Sequence, residues 1–261
     1  MKTRKTGLTG KLKSDDEWIY GLNPVFEALR AGRKIKAVYL SSSRQEKTEE
    51  LKQEGARLGI PVKAVDSFFF DAQFGRGHQG VAAEVQKKGY VLLDDLLEIP
   101  AGKEELPFFF ILDCLEDPRN LGAVLRVADA AGVHGIVVQA YRSVRLGAEV
   151  SKVSAGSVEY VPVALVPNIK HAIRHMKNKG ILIIGAESAA EKTIWEQDLS
   201  GPVALVIGSE GKGLRRTVRE HCDGLAGIPM KGMINSLNVS VAAGICAFEI
   251  LRQRLEKYKK N

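Results

Sequence analysis

Five short, nearly unbroken apolar runs recur through the chain beyond residue 107: Phe108–Leu112, Gly135–Gln139, Ile181–Ile184, Val203–Ile207 and Leu225–Ile228. A strand with one wet face alternates apolar and polar residues, so runs this continuous belong to strands covered on both faces. The segments between them are patterned as helices, and a long helix is expected over about 237–256. Strands alternating with helices predict an α/β fold built on a mostly parallel sheet. A smaller α/β pattern precedes it. A helix is expected to start at Asn23-Pro24, with Asn as cap, and to end near Gly32. Strands are expected at Lys36–Leu40, Val62–Val65 and Gly80–Val85, with an exposed helix over Gln45–Leu58. The expected division is a disordered basic arm over 1–17, a small domain over 18–85, a linker with one short helix over 86–106, a larger domain over 107–256, and a basic tail over 257–261.

The composition is ordinary for a globular protein, with 45% hydrophobic and 26% charged residues in 261. It excludes a disordered chain, a collagen-like chain and a disulfide scaffold. No apolar run approaches the ~20 residues of a membrane helix, and the basic N-terminus has no apolar stretch behind it, so no secretory signal is expected. The net charge of +7 is unevenly placed: residues 1–14 carry +5 and residues 252–261 carry +4, leaving −2 for the 237 residues between. Two basic tails fit either loose phosphate binding or solubility, and charge alone leaves the choice open. Cys114, Cys222 and Cys246 are far apart, and no Cys/His spacing suits zinc, so neither a metal nor a disulfide is expected. His171 and His175, four apart, lack a third ligand and read as surface residues. A reducing, cytoplasmic setting follows.

Three stretches carry groups suited to chemistry. The first is Asp113-Cys-Leu-Glu-Asp-Pro-Arg-Asn-Leu-Gly-Ala-Val-Leu-Arg126. Asp117 can cap a helix with Pro118 at its first position, and Leu121, Val124, Leu125 and Ala128 give it a core face. Arg119, Gly122 and Arg126 fall opposite. Gly122 there leaves room for a phosphate or ribose between two guanidinium groups, although a solvated face with Asp129 pairing Arg126 has the same pattern. The second is the strand Val203–Ile207 running into Gly208-Ser-Glu-Gly211-Lys-Gly213. A Gly-rich turn after a buried strand is where α/β sheets bind nucleotide-like ligands, but the spacing matches neither the dinucleotide fingerprint nor the phosphate-binding P-loop. Glu210 in that loop would repel phosphate and suits hydroxyls or a cation. The third is Ile228-Pro-Met-Lys-Gly-Met-Ile-Asn235-Ser236-Leu237-Asn238-Val-Ser240. It ends in amides and hydroxyls at a helix start, where plain capping needs only one of them. Downstream, Ser240, Gly244, Ala247 and Leu251 form a small-residue stripe beside Leu237, Val241, Ile245 and Phe248, suited to core packing or an oligomer interface.

In this order the three stretches resemble the motifs of the SpoU-type branch of the SPOUT RNA 2′-O-methyltransferases, across 108–251. Tyr20-Gly-Leu-Asn-Pro-Val-Phe-Glu-Ala-Leu and His78-Gln-Gly-Val resemble the L30e-like RNA-binding domain that many members carry. The resemblance implies a parallel sheet with a C-terminal trefoil knot, which general topology rules would not have given. It also implies a homodimer paired through the knot region, S-adenosylmethionine as cofactor, and transfer of its methyl group to a guanosine 2′-hydroxyl of 23S rRNA. A tRNA guanosine is the alternative substrate, and a non-catalytic RNA-binding or ribosome-assembly protein the alternative outside enzymes.

The implied cofactor site comprises Gly208, Ile228, Met230 and Leu237, and the implied reaction site comprises Asn120, Arg126, Glu210, Ser236 and Asn238. The family's Arg126 is the activator of the hydroxyl. An arginine stays protonated and makes a poor base, so Arg126 is expected to act as a cation that holds a phosphate and stabilises the forming alkoxide. Arg33, Lys34, Lys36, Arg44 and Arg76 are candidate phosphate contacts on the small domain. No metal and no membrane are implied.

Overall fold

The computed structural model describes residues 15–42, 48–234 and 236–259. The chain divides into two compact units at Lys88/Gly89.

The first unit is built from β1 (Asp16–Tyr20), α1 (Leu22–Arg30), β2 (Ile35–Ser41), α2 (Glu49–Arg57), β3 (Val62–Val65), α3 (Ser67–Phe74) and β4 (Val81–Gln86). Its sheet runs in the order β1-β4-β2-β3, with β4 antiparallel to both neighbours and β2 parallel to β3. Ile19, Val25, Leu29, Val38, Leu51 and Val85 fill one side. Trp18, Tyr39, Phe69, Phe70 and Phe74 pack on the other, with ring centroids mostly 5–6 Å apart.

Several expectations change here. β1 starts at Asp16, inside the expected arm, because two acids fasten it: Arg33 reaches Glu17 at 2.5 Å, and Lys36 pairs with Asp16 and, at 3.6 Å, with Glu84. Arg33 and Lys36 are therefore structural partners of β1, and the Arg33 side chain is only 7% exposed. Residues 1–14 and Arg44 lie outside the described residues. Asn23 does not cap α1. Gly21 does, at φ 101°, and the free Leu22 N–H donates to Gln79 Oε1 at 2.9 Å.

The second unit contains α4 (Leu93–Gly102), β5 (Phe108–Leu112), α5 (Pro118–Ala130), β6 (Gly135–Gln139), α6 (Ala148–Val153), β7 (Val163–Val166), α7 (Ile169–Asn178), β8 (Leu182–Ala186), β9 (Val203–Ile207), α8 (Arg216–Arg219), β10 (Gly224–Ala226) and α9 (Val239–Tyr258). All six strands are parallel, in the order β10-β8-β9-β5-β6-β7. Every residue of β5 and β9 is buried, as their composition requires. Phe108, Phe110 and Leu112 face a core shared with α5 and α9. Phe109 and Ile111 face one shared with α4, α7 and α8.

The segment expected as a linker is thus largely part of this unit. Leu96 and Leu97 of α4 are core residues, and Val91 bridges to Ala164 of β7. At the sheet centre β5 and β9 lie side by side, but β6 and β7 extend one way and β8 and β10 the other. The connections leaving β5 and β9 therefore diverge, which opens a crevice at their carboxyl ends.

Candidate functional site

The Gly-rich loop sits at that crevice and folds back on itself. Ser209 N–H donates to Gly213 O at 3.2 Å and Gly213 N–H to Ser209 O at 3.0 Å. A Cβ on Gly208 would lie 2.2 Å from the Gly213 carbonyl carbon and 2.5 Å from Leu214 N. The space that Gly208 leaves is thus taken by the loop's own backbone, so the glycine acts through loop closure.

Loop 208–213 has a cavity on each side. The first encloses about 220 Å³ and is lined by the loop, by Ile228, Met230, Ser236 and Leu237, and by Ala242 at the start of α9. All four residues expected at a cofactor site, Gly208, Ile228, Met230 and Leu237, meet there. The ends of β8 and β10 complete the wall with Ala186, Glu187, Ser188 and Ala226. The Glu187 carboxylate faces Gly213, where a Cβ would lie 3.2 Å from its Oε1.

The second cavity is more polar and encloses about 500 Å³ between the end of β5, the start of α5 and the same loop. Ser209, Glu210, Lys212 and Gly213 line both cavities. At this shared wall, Asn120 Nδ2 donates to Glu210 Oε2 at 3.0 Å, and Asn238 Nδ2 donates to Asn120 Oδ1 at 3.1 Å and to Glu210 Oε1 at 3.5 Å. Asn238 also caps α9, its Oδ1 accepting from Ser240 N at 3.0 Å and Ser240 Oγ at 2.6 Å. Asn120 sits in the first turn of α5, whose cap is Asp117, as expected. Two helix starts and one loop thus converge on one carboxylate.

A clamp holds the loop's exit. Asp113, at the end of β5 and fully buried, accepts from Arg215 N at 2.9 Å and Arg215 Nε at 2.6 Å, while Arg215 Nη2 donates to Gln139 Oε1 at 2.8 Å. The bond to Asp113 raises the Arg215 pKa. Burial and the neighbouring Asp113 push the adjacent Cys114 thiol up, away from the thiolate a nucleophile needs. Burial pushes Cys222 and Cys246 up to about 12. Among the described residues no cluster of His, Cys, Asp or Glu could hold a metal ion, and no helix is long and apolar enough to cross a membrane.

α5 places two of its expected residues away from both cavities. Gly122 is buried against α6, where a Cβ would lie 2.7 Å from Val153 Cβ; it serves helix packing, not ligand approach. Arg126 is exposed and lines neither cavity, and Asp129, offered as its partner, accepts from Ser157 Oγ at 3.0 Å. Ser236 lines the first cavity, and Asn235 lies outside the described residues. Sequence reasoning missed Glu187, Gln139 and the roles of Asp113 and Arg215. The one available signal was Asp113, a carboxylate directly after five buried apolar residues.

Residues 107–248 match the SpoU rRNA Methylase family, and residues 18–91 match a domain described as RNA 2′-O ribose methyltransferase substrate binding. The chain is 42% identical to the 23S rRNA (guanosine-2′-O-)-methyltransferase RlmB of Pseudomonas aeruginosa, over 91% of this chain and 97% of that one. It is 43% identical to the protein of the same name from Shewanella oneidensis, over 90% and 97%. The crystal structure of an AdoMet-bound rRNA methyltransferase from Sinorhizobium meliloti superposes with a TM-score of 0.76 at 28% identity, covering 92% of this chain and 88% of that one.

Proposed function

The chain belongs to the SpoU rRNA methylase family, and from that premise we propose that it methylates a guanosine of 23S rRNA at the ribose 2′-hydroxyl, with S-adenosylmethionine as donor. The observation that carries this reading is the Asn120–Glu210–Asn238 network on the wall shared by two cavities. One cavity is suited to a cofactor and the other to the reacting nucleotide.

The first cavity fits the cofactor chemically. Ile228, Met230 and Leu237 offer apolar contact to an adenine, loop 208–213 offers backbone donors and acceptors, and Glu187 offers a carboxylate to a cationic ligand. When bound, S-adenosylmethionine supplies a methyl group on an already electrophilic sulfonium. The protein's own task is then to align a ribose hydroxyl and take its proton. Of the five expected reaction residues, Glu210 alone carries a carboxylate, the one side chain among them that can serve as a general base. Asn120 and Asn238 fix its orientation, and Ser236 adds a hydroxyl on the cofactor side.

Arg126 stabilises negative charge on the substrate and does so from a second subunit. Val241, Phe248 and Leu255 recur every seven residues on α9 and are 48–53% exposed, an apolar stripe suited to a homodimer. Gly244 of α9 packs on Val127, the residue after Arg126, and the exposed Arg126 side chain is the group offered to the site of a second copy. The threaded, knotted C-terminus is supported by Gly227, whose N–H donates to Lys192 O while its carbonyl accepts from Ile194 N, both at 2.9 Å. The chain after β10 thus lies alongside the segment after β8. The first unit, read as L30e-like, presents RNA to the second, and the enzyme works in the cytoplasm.

The test is methyl transfer from labelled cofactor to bulk rRNA and bulk tRNA, followed by nucleoside analysis. The expected product is 2′-O-methylguanosine in 23S rRNA. Label confined to tRNA, to a base, or to nothing overturns the reading.

A further inference from the structure

The second cavity has a feature that the reaction residues do not use. After β6 the chain forms an exposed loop, Ala140–Gly147, beside the end of β5. Tyr141 at its start is 68% exposed, and the Arg142 guanidinium lies 5.4 Å from the Tyr141 ring centroid. Arg142 also lines the second cavity, together with Asn120 and Glu210. Its backbone is left-handed, at φ 57°, a conformation that residues other than glycine seldom adopt and that costs free energy unless the surroundings impose it. The loop that carries it is fastened at both ends. Val144 N–H donates to Leu115 O at 2.9 Å, Leu146 N–H donates to Tyr90 Oη at 3.1 Å, and Gln139 at the loop's root is held by Arg215. A loop anchored on both sides thus carries a guanidinium on the wall of a polar cavity and an exposed aromatic ring beside that guanidinium.

Unpaired RNA bases are recognised by stacking on aromatic rings and guanidinium planes. We propose that Tyr141 and Arg142 form the platform on which the target nucleobase stacks, unstacked from its RNA neighbours, so that its ribose reaches the Asn120–Glu210 wall. This rests on the methyltransferase reading above and adds a nucleobase subsite to it. Tyr141 is a positioning residue, because its ring holds the base while the reaction occurs at the ribose. The platform is sequence-tolerant, since every base has a flat face, so it supplies affinity and orientation and leaves the choice of guanosine to other contacts.

The experiment compares the full-length wild type, Tyr141→Ala and Tyr141→Phe on bulk 23S rRNA. The readouts are KM for RNA and kcat at saturating cofactor, with cofactor affinity by calorimetry. Stacking on one aromatic ring is worth about 1–3 kcal/mol, which is roughly 5- to 150-fold. Tyr141→Ala is expected to raise KM for RNA by that factor, with cofactor affinity unchanged. Tyr141→Phe keeps the ring and is expected to stay within about threefold of wild type. The inference is overturned if Tyr141→Ala leaves KM within twofold, if Tyr141→Phe is as impaired as Tyr141→Ala, or if cofactor affinity falls in step. A wild-type protein that transfers no methyl group overturns the methyltransferase reading itself, whereas an active wild type with an insensitive Tyr141 overturns only the platform.

Discussion

Replacing Asp113 by alanine tests whether the buried clamp at the end of β5 organises the cofactor loop. The Asp113 carboxylate has no exposed surface and accepts from both the backbone and the guanidinium of Arg215, two residues past the last glycine of the loop. Removing one member of a fully buried ion pair costs about 3–5 kcal/mol. Arg215 is 36% exposed and keeps its bond to Gln139 Oε1, so water can hydrate the orphaned charge. The expected loss is therefore lower, about 2–3 kcal/mol, consistent with about 1.5–3 kcal/mol for a hydrogen bond to a charged group. At about 2–4 °C per kcal/mol for a domain of this size, thermal unfolding should move down by roughly 4–12 °C. If the loop must be re-ordered before it can bind, the same free energy appears as roughly 30- to 150-fold weaker binding of S-adenosylmethionine. Differential scanning calorimetry and isothermal titration read the two effects separately. An unchanged melting temperature would show that Asp113 carries no net stabilisation. A lowered melting temperature with unchanged affinity would show that the clamp is structural only and that loop 208–213 keeps its shape without it.

Four further outcomes follow from the same geometry. Gly208→Ala puts a methyl group into the Gly213 backbone and should lower cofactor affinity at least tenfold with the protein still folded; calorimetric affinity equal to wild type would contradict the loop-closure account. Arg126→Ala should retain cofactor binding and lose methyl transfer about a hundredfold or more, and a variant near the wild-type rate removes Arg126 from the site. Phe248→Asp places a charge on the exposed stripe of α9 and should shift the particle to monomer mass in light scattering, whereas an unchanged mass places the interface elsewhere. His134 is buried and held neutral, with Nδ1 accepting from Phe108 N at 3.2 Å and Nε2 facing Glu105 at 3.0 Å, and burial lowers its pKa. The unfolded chain takes up that proton near pH 6.5 and the folded one only at lower pH, so stability is lost as pH falls below about 6.5. Melting curves between pH 8 and 5 should fall more steeply for wild type than for His134→Gln, and parallel curves would refute the assignment.

The core strands were legible because burial on both faces leaves one kind of sequence. β5, β6 and β9 run over the residues that their apolar runs mark. Elements whose residues serve two purposes were not legible. β1 opens with two acids that look like the end of a charged arm until Lys36 and Arg33 are seen opposite them. β7 is only four residues long, between Pro162 and Pro167, and is absent from the expected strands. α4 carries Asp94, Asp95 and Pro100, and only the packed structure shows Leu96 and Leu97 to be core.

The site shows the same division at closer range. Helical spacing set Gly122 opposite the core face of α5, on the assumption that a helix on a sheet has one buried side. α5 has more: the sheet covers one, while α6 and α9 cover others, so Gly122 became a helix contact and Arg126 stayed at the surface. A periodicity argument counts residues on one helix and has no knowledge of a second layer. Asn120, Glu210 and Asn238 could each be singled out from their own stretch, but their bonds span 90 and 118 residues. What brings them together is the order of strands at the sheet centre. β9 returns beside β5, so the loop after one faces the helix after the other, and the chain leaving β10 supplies the second amide at the start of α9. The residue types therefore state what chemistry is available, and the crossing of the connections decides which groups meet.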